Sequence, residues 1–299
     1  GLMKLLLTLL LGIALLGPHG GMLNAEENED KGAEAEFRKA AEHGDAQTQH
    51  LLGYRYAQGK GVPKDATEAV KWYRKAAAQG YAAAQYNLGL CYAQGKGVAK
   101  DPAEAAKWYR KAAAQGYASA QNSLGHCYYC GTGVAKDATE AAKWYHKAAK
   151  QGVANAQFGL GICYFFGIGV AKDVTEAVKW YHKAAEQGHA TAQYNLGFSY
   201  DYGIGVAKDA TEAVKWYRKA AEQGHATAQY NLGNRYAKGG IGVAKDDVIA
   251  YMWANLAASS GHQDSKRLRD LLEQKMTGEQ IAEAQRMSRN WKPRPHQGE

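Results

Sequence analysis

The sequence predicts an all-α fold, an α/α superhelical solenoid of stacked helix pairs that ends in a C-terminal helical cap. Tryptophans recur every 36 residues from Trp72 to Trp216, and Trp253 follows after 37. A constant period in this range is typical of repeated units that bury their apolar faces only against their neighbours. The chain has 35 glycines but only 5 prolines, which fits helices that end at glycine and are not broken internally.

One repeat, Asp101 to Lys136, shows how each repeat is expected to fold. Its first aspartate is placed to cap a helix, Pro102 suits the first helical position, and Glu104 adds an acidic capping group. From Ala103 to Gly116, small and aromatic residues recur at spacings of three and four, which predicts one buried face. A second helix is predicted from Ala118 to Tyr129. We call the two the tryptophan helix, after its Trp-Tyr pair, and the glycine helix, after its Leu-Gly pair.

The repeats share a pattern that reads EAxxWYxKAAxQGxxxAQxxLGxxYxxGxGVxxD. This pattern resembles the Sel1-like repeat, a 36-residue relative of the tetratricopeptide repeat, and the resemblance covers roughly residues 31 to 262. The resemblance implies an α/α superhelix that acts as a protein-interaction scaffold through its curved surface. Positions that differ between copies are free of the shared packing, so they are the ones expected to select a partner.

The N-terminal segment, residues 1–25, is predicted to be a signal peptide. Met3-Lys4 precedes an apolar run from Leu5 to Leu16, and the small Ala25 offers a cleavage site. Because so short a run does not span the roughly 30 Å core of a bilayer, we predict no stable membrane insertion after cleavage. The expected location is the periplasm or the medium outside the cell.

The rest of the chain is predicted to comprise three parts. Residues 26–32 are a disordered lead-in, residues 33–246 are tandem repeats, and residues 247–299 are a last partial repeat with capping helices. In the last repeat, Met252 and Leu256 stand where the preceding repeat has lysines. Apolar residues at formerly exposed positions require a cover. We predict that two further helices, Ser265–Lys275 and Thr277–Asn290, supply it, the second opened by a capping box.

No catalytic constellation is present. Neither SxxK, GxSxG nor HExxH occurs, and the GxGV segments lack the spacing of a phosphate-binding loop, so they are interpreted as turns. Histidines such as His189, His225 and His262 recur at a spacing too long to share one metal ion, and they are interpreted as surface residues. We predict that the protein is not an enzyme and holds no cofactor or metal. A hydrolase or thiol-redox enzyme of the cysteine-rich Sel1-like type is the alternative.

Three of the four cysteines, Cys91, Cys127 and Cys163, occupy one position in successive glycine helices and are interpreted as structural thiols. Cys127 and Cys130 form a CxxC, which leaves a disulfide or a redox pair as alternatives. The pair lies near the C-terminal end of its helix, where the helix dipole opposes a thiolate. The sequence therefore favours the structural interpretation.

An apolar stripe in the central repeats is the first candidate partner-binding feature. Ile162 and Phe166, then Phe198 and Tyr202, lie at i,i+4 in neighbouring glycine helices, and Cys130 precedes them in the repeat before. An apolar patch confined to the central repeats is what a groove for a protein or peptide would need. Packing against the next repeat is the alternative interpretation.

A ladder of lysines on the tryptophan helices is the second candidate feature, represented in the central repeats by Lys107, Lys143 and Lys179. With a formal net charge of +8, such a row could bind an anionic envelope polymer. A solvated face that keeps the protein soluble is the alternative. Nucleic acid is not an expected partner, because no nucleic-acid-binding module is recognised.

Overall fold

The protein was analysed as a computed structural model that describes residues 38–294. The predicted signal peptide, the lead-in and the start of the predicted repeat array lie outside the described residues. In residues 38–294 the regular structure is helical and contains no strand. The helices, in chain order, are α1 (Ala46–Gln58), α2 (Ala66–Ala78), α3 (Ala82–Gln94), α4 (Pro102–Ala114), α5 (Ala118–Cys130), α6 (Ala138–Lys150), α7 (Ala154–Phe166), α8 (Val174–Glu186), α9 (Ala190–Tyr202), α10 (Ala210–Glu222), α11 (Ala226–Lys238), α12 (Asp247–Ser259), α13 (Gln263–Glu273) and α14 (Gly278–Asn290).

The chain forms two compact units, one up to Tyr81 and one from Ala82 onward. In the first, α1 packs against α2, and Leu52 and Trp72 share a small apolar core with Ala41. In the second, each helix from α4 to α12 packs against the preceding and the following helix, and α3 packs against α4. Consecutive helix packing of this kind confirms the predicted solenoid architecture within each unit.

The helix ends follow from local sequence chemistry. The Asp101 carboxylate accepts hydrogen bonds from the backbone N–H groups of Ala103 and Glu104, both at 3.0 Å, and Pro102 occupies the first turn of α4. The expected capping role of the Glu104 side chain is wrong, because its carboxylate instead accepts a hydrogen bond from Lys107 Nζ at 2.9 Å. Helix α5 continues to Cys130, one residue further than predicted, and ends at a left-handed glycine with φ 74°.

The pairing of helices in the structure differs from the repeat that the sequence suggested, which runs from Asp101 to Lys136. That repeat joins α4 to α5, yet α5 packs more extensively against α6 than against α4. The reason is a close approach between Gly125 of α5 and the ring of Tyr145 on α6, where a Cβ on the glycine would lie 2.9 Å from the ring. The same glycine–tyrosine contact recurs one repeat later between Gly161 and Tyr181. The tightest structural pair is therefore a glycine helix with the tryptophan helix that follows it.

Buried glutamines link successive repeats through a hydrogen-bond ladder. Gln157 Nε2 donates to the carbonyl of Ala149, at 3.3 Å, and Gln157 Oε1 accepts from Gln187 Nε2 of the next tryptophan helix, at 2.7 Å. Each rung satisfies a buried amide that would otherwise be costly to desolvate. The ladder ends at Gln229, whose buried Oε1 has no partner in the described part of the chain. In the last repeat, Ser260 stands at the position of the glutamine that would have donated a hydrogen bond to Gln229 Oε1.

The C-terminal helices cover the last repeat. Helices α13 and α14 both pack against α12, and Met252 is only 7% exposed. Ser288 of α14 donates a hydrogen bond to the Met252 carbonyl, and the Trp291 ring meets Trp253 edge-on at 6.3 Å between centroids. Thr277 forms the predicted capping box at the start of α14. Met252 is thus buried beneath the predicted helical cap, and Leu256 is half-buried against the same core.

Candidate partner-binding surface

The glycine helices of the central repeats present one common surface. In α5, α7 and α9, the third, fourth, seventh and eighth positions are buried small residues, glutamine and leucine. The ninth and thirteenth positions lie outside that buried side. We call the surface that they form, with the fifth position, the glycine-helix face, and its ninth and thirteenth residues are His126, Cys130, Ile162, Phe166, Phe198 and Tyr202.

The predicted apolar stripe divides into an exposed and a half-buried part. Phe166 and Tyr202 are 62% and 64% exposed, and Cys130 is exposed as well. Ile162 is half-buried, and Phe198 packs against the core formed by the next repeats. The alternative of packing therefore holds for Phe198, whereas Phe166 and Tyr202 remain available at the surface. Their role in binding stays a prediction.

The exposed aromatics are supported from below by other rings. Phe166 meets Phe165 edge-on with centroids 4.9 Å apart, and Tyr202 lies 4.5 Å from Phe198. Aromatic pairs at these separations attract one another and limit the freedom of each ring. When a partner covers Phe166 or Tyr202, the covered ring consequently loses less side-chain entropy than an isolated exposed ring would.

The predicted lysine ladder is present, but its charges are paired. Lys107, Lys143 and Lys179 each form an ion pair with the glutamate three residues earlier, at 2.7–2.9 Å. The hydrogen bond to that glutamate raises the pKa of each lysine. A second lysine row lies over tryptophan rings, for example Lys147 Nζ at 4.2 Å from the Trp144 centroid. Because each lysine of the first row has its own carboxylate, the row is not an uncompensated cationic strip.

All four cysteines are free thiols in the structure. Burial raises the pKa of Cys127 and Cys163 to about 11 and also raises that of Cys91. Thiols with such pKa values stay protonated at neutral pH and are poor nucleophiles, which supports the structural interpretation of this column. Cys130 differs, because it is exposed and its Sγ lies 3.7 Å from His126 Nε2.

The interpretation of the later histidines as plain surface residues is wrong. His189 and His225 are half-buried N-caps whose Nδ1 atoms accept hydrogen bonds from backbone N–H groups, at 3.1 and 3.2 Å. Burial lowers the pKa of both, which favours the neutral imidazole that can accept a hydrogen bond. Their rings also stack on Phe158 and Tyr194, at 4.5 and 4.7 Å. These histidines fix the start of the next glycine helix.

A pocket that the sequence interpretation missed lies on the same surface. It has a volume of about 490 Å³ and is lined mainly by α5 and α7, with Asn122, Tyr145, Phe158 and Gly159 among its walls. The signal for it was present in the sequence, because the fifth position of a glycine helix is aromatic or histidine in the other described repeats but asparagine at Asn122. Only a comparison of copies position by position would have shown this.

Residues 38–294 offer neither a metal site nor a membrane span. No group of three or more histidine, cysteine, aspartate or glutamate side chains there is placed to hold a metal ion. Nor does that part of the chain contain a helix with the length and apolarity needed to cross a bilayer.

Comparison with known proteins identifies the repeat. The Sel1 repeat pattern matches six consecutive stretches, residues 46–81, 82–117, 118–153, 154–189, 190–225 and 226–262. Each stretch joins one glycine helix to the tryptophan helix that follows it, which is the pairing with the more extensive packing.

Solved structures agree with this match. A Sel1 repeat protein from Oxalobacter formigenes is 41% identical, with 71% of this chain and 85% of that chain covered and a TM-score of 0.65. A protective antigen present in uropathogenic Escherichia coli strains, which displays an SLR fold, is 36% identical, with 86% of this chain and 64% of that chain covered and a TM-score of 0.50. Comparison with curated proteins gave no match.

Proposed function

Because the chain belongs to the Sel1 repeat family, we propose that it is an exported scaffold that binds a protein or peptide partner on its glycine-helix face and is not an enzyme. The observation that carries this proposal is the exposure of Phe166 and Tyr202 at the same position of successive repeats. Large aromatic side chains left exposed on a rigid surface are characteristic anchors of protein interfaces. The scaffold would act by presentation, with regular helices holding variable side chains in fixed places.

The experiment compares two serine variants that remove the same kind of exposed apolar group from different places. We expect the double variant Phe166→Ser/Tyr202→Ser to reduce the recovery of a crosslinked partner at least tenfold, because two interface anchors are lost together. Ile241→Ser is the matched control, since Ile241 is 73% exposed in the loop between α11 and α12 and belongs to no glycine helix. Crosslinking in the native envelope followed by mass spectrometry measures the recovery, and circular dichroism checks folding.

Unchanged recovery with the double variant would remove the glycine-helix face from consideration. An equal loss with Ile241→Ser would show that the effect is general surface apolarity and not this face.

The alternative functions have less support. A thiol-redox enzyme needs a reactive cysteine pair, but burial raises the pKa of Cys127 well above neutral pH. Binding of an anionic envelope polymer through Lys107, Lys143 and Lys179 would have to compete with the glutamate already paired to each lysine. Exposed pairs contribute only about 0–1 kcal/mol, so this competition weakens polymer binding without forbidding it.

Export is proposed from the sequence of residues 1–25 alone. The basic Met3-Lys4 and the apolar run behind it favour recognition by a secretion pathway. We expect the mature protein to begin at Glu26, directly after Ala25. N-terminal sequencing of the protein from fractionated cells tests this, and an uncleaved protein in the cytosolic fraction would contradict it.

A further inference from the structure

The pocket of about 490 Å³ on the glycine-helix face is a gap in a column of stacked rings. In the second compact unit, the fifth residue of a glycine helix stacks on the residue that caps the next glycine helix. Tyr86 lies 5.3 Å from Tyr117, and Phe158 lies 4.5 Å from His189. In the repeat between them the corresponding residues are Asn122 and Val153, and neither has a ring.

The missing ring removes a contact that the tyrosine of the following tryptophan helix makes in the adjacent repeats. Tyr86 and Phe158 each contact the tyrosine of the following tryptophan helix, Tyr109 and Tyr181, at 5.8 and 5.9 Å between centroids. The equivalent tyrosine beside Asn122 is Tyr145, and it forms a wall of the pocket. The molecule itself thus shows, in the repeats on either side, that an aromatic ring is what fills this space.

A second substitution enlarges the same space. Gly159 stands where the next two repeats have Asn195 and Asn231, and the Asn231 side chain hydrogen-bonds Tyr217 of the preceding tryptophan helix. Gly159 provides no side chain, and its backbone lies against the Tyr145 ring, where an added Cβ would be 3.1 Å from the ring. The result is a cavity within the size range of ligand pockets, about 300–1,000 Å³.

The charge of the lining selects among possible occupants. The walls combine the rings of Tyr129, Tyr145 and Phe158 with asparagine and histidine side chains, and they include no carboxylate, lysine or arginine. Burial lowers the pKa of His189, so its imidazole is predominantly neutral at pH 7. A neutral, ring-lined pocket with a few hydrogen-bonding groups suits an uncharged aromatic group, whereas an ionic side chain would lose its hydration without a counter-charge.

We infer that this pocket receives an aromatic side chain, tyrosine or phenylalanine, from the partner polypeptide. The inference rests on the proposed scaffold function, because it names the chemistry that the glycine-helix face recognises. The partner's ring takes the place that Tyr86 and Phe158 occupy in the adjacent repeats, against Tyr145 and Phe158. Ile162, on the pocket wall, connects this site to the exposed Phe166 one turn later.

The test uses small probes and a variant that fills the gap. N-acetyl-phenylalaninamide and N-acetyl-tyrosinamide are titrated into the full chain and followed by protein NMR, with N-acetyl-leucinamide and N-acetyl-lysinamide as comparison probes. We expect saturable binding of both aromatic amides, at least tenfold tighter than that of the other two. Asn122→Tyr should weaken aromatic binding at least tenfold, because the introduced ring occupies the pocket. Asn234→Tyr, a tyrosine placed on the same face but outside the pocket, should leave the affinity unchanged.

Folding of Asn122→Tyr is checked by thermal unfolding, and a midpoint at or above that of the wild type is expected because the ring completes the column. Gly159→Asn is a second filling variant that should also weaken binding. Equal affinity for the leucine amide, preference for the lysine amide, or a loss of less than tenfold in both filling variants would overturn the inference. If the probes fail while crosslinking at Phe166 and Tyr202 succeeds, the pocket assignment falls and the scaffold function stands.

Discussion

Replacing Gly169 by alanine is expected to lower the free energy of unfolding by about 2–5 kcal/mol. Gly169 has φ 70°, a left-handed conformation that costs an L-residue about 1–2 kcal/mol. It also packs directly on the start of α6, where an added Cβ would lie 1.9 Å from the Ala138 carbonyl oxygen. A backbone carbonyl in a helix cannot rotate away, so the loop must shift and lose packing worth about a further 1–3 kcal/mol.

Gly152→Ala is the control that separates the two contributions. Gly152 also has a positive φ, 89°, but no atom lies within 4 Å of its added Cβ. Its replacement should therefore cost only about 1–2 kcal/mol, and the effect of either substitution on unfolded-chain entropy is the same. Urea unfolding followed by circular dichroism measures both variants. Coincident midpoints would mean that the GxGV loop does not hold successive repeats together through this contact.

Helix positions were predictable because they depend on neighbours in sequence. The spacing of Asp101, Pro102 and Gly116 predicts α4 to within two residues, and the capping box at Thr277 predicts the start of α14. Local signals of this kind need no knowledge of tertiary structure. The solenoid class followed as well, since a repeat with one apolar side can bury it only against another copy.

The pairing of helices was not predictable in the same way. A repeated sequence can be divided at any point, so the period alone does not say whether α5 belongs with α4 or with α6. That choice depends on the close approach of Tyr145 to Gly125, which is a contact between residues 20 positions apart in the numbering. The pairing of Lys107 with Glu104 was more accessible, because their i,i+3 spacing is visible in the sequence.

The candidate site was predictable only in part. Its exposed residues, Phe166 and Tyr202, follow from comparing variable positions between copies. The burial of Phe198 does not, because a ninth-position side chain reaches the next repeat only in three dimensions. The capping role of His189 was missed because histidine is not among the residues that N-cap preferences favour.

The glycine–tyrosine contact predicts that a glycine-to-alanine substitution in a glycine helix destabilises the fold when a tyrosine ring lies opposite. The same substitution should not destabilise the fold when that ring is absent. Tyr181 is 1% exposed, and Tyr181→Ala should cost about 3–5 kcal/mol, as expected for the loss of a buried aromatic ring. Gly161→Ala should also destabilise, because its Cβ would lie 2.6 Å from the Tyr181 ring. This overpacking, about 1–3 kcal/mol, exceeds the roughly 1 kcal/mol that alanine gains over glycine in a helix.

In the Tyr181→Ala background the ring is gone, so Gly161→Ala should become stabilising by up to about 1 kcal/mol. The chain contains a natural counterpart of the single variant Tyr181→Ala: Ala254 replaces the tyrosine opposite Gly233, where the nearest atom to an added Cβ is a carbonyl oxygen at 3.2 Å. Gly233→Ala should therefore be close to neutral. Unfolding free energies of the single and double variants form a double-mutant cycle that measures the coupling. Additive effects at Gly161 and Tyr181 would show that the ring does not set the distance between α7 and α8.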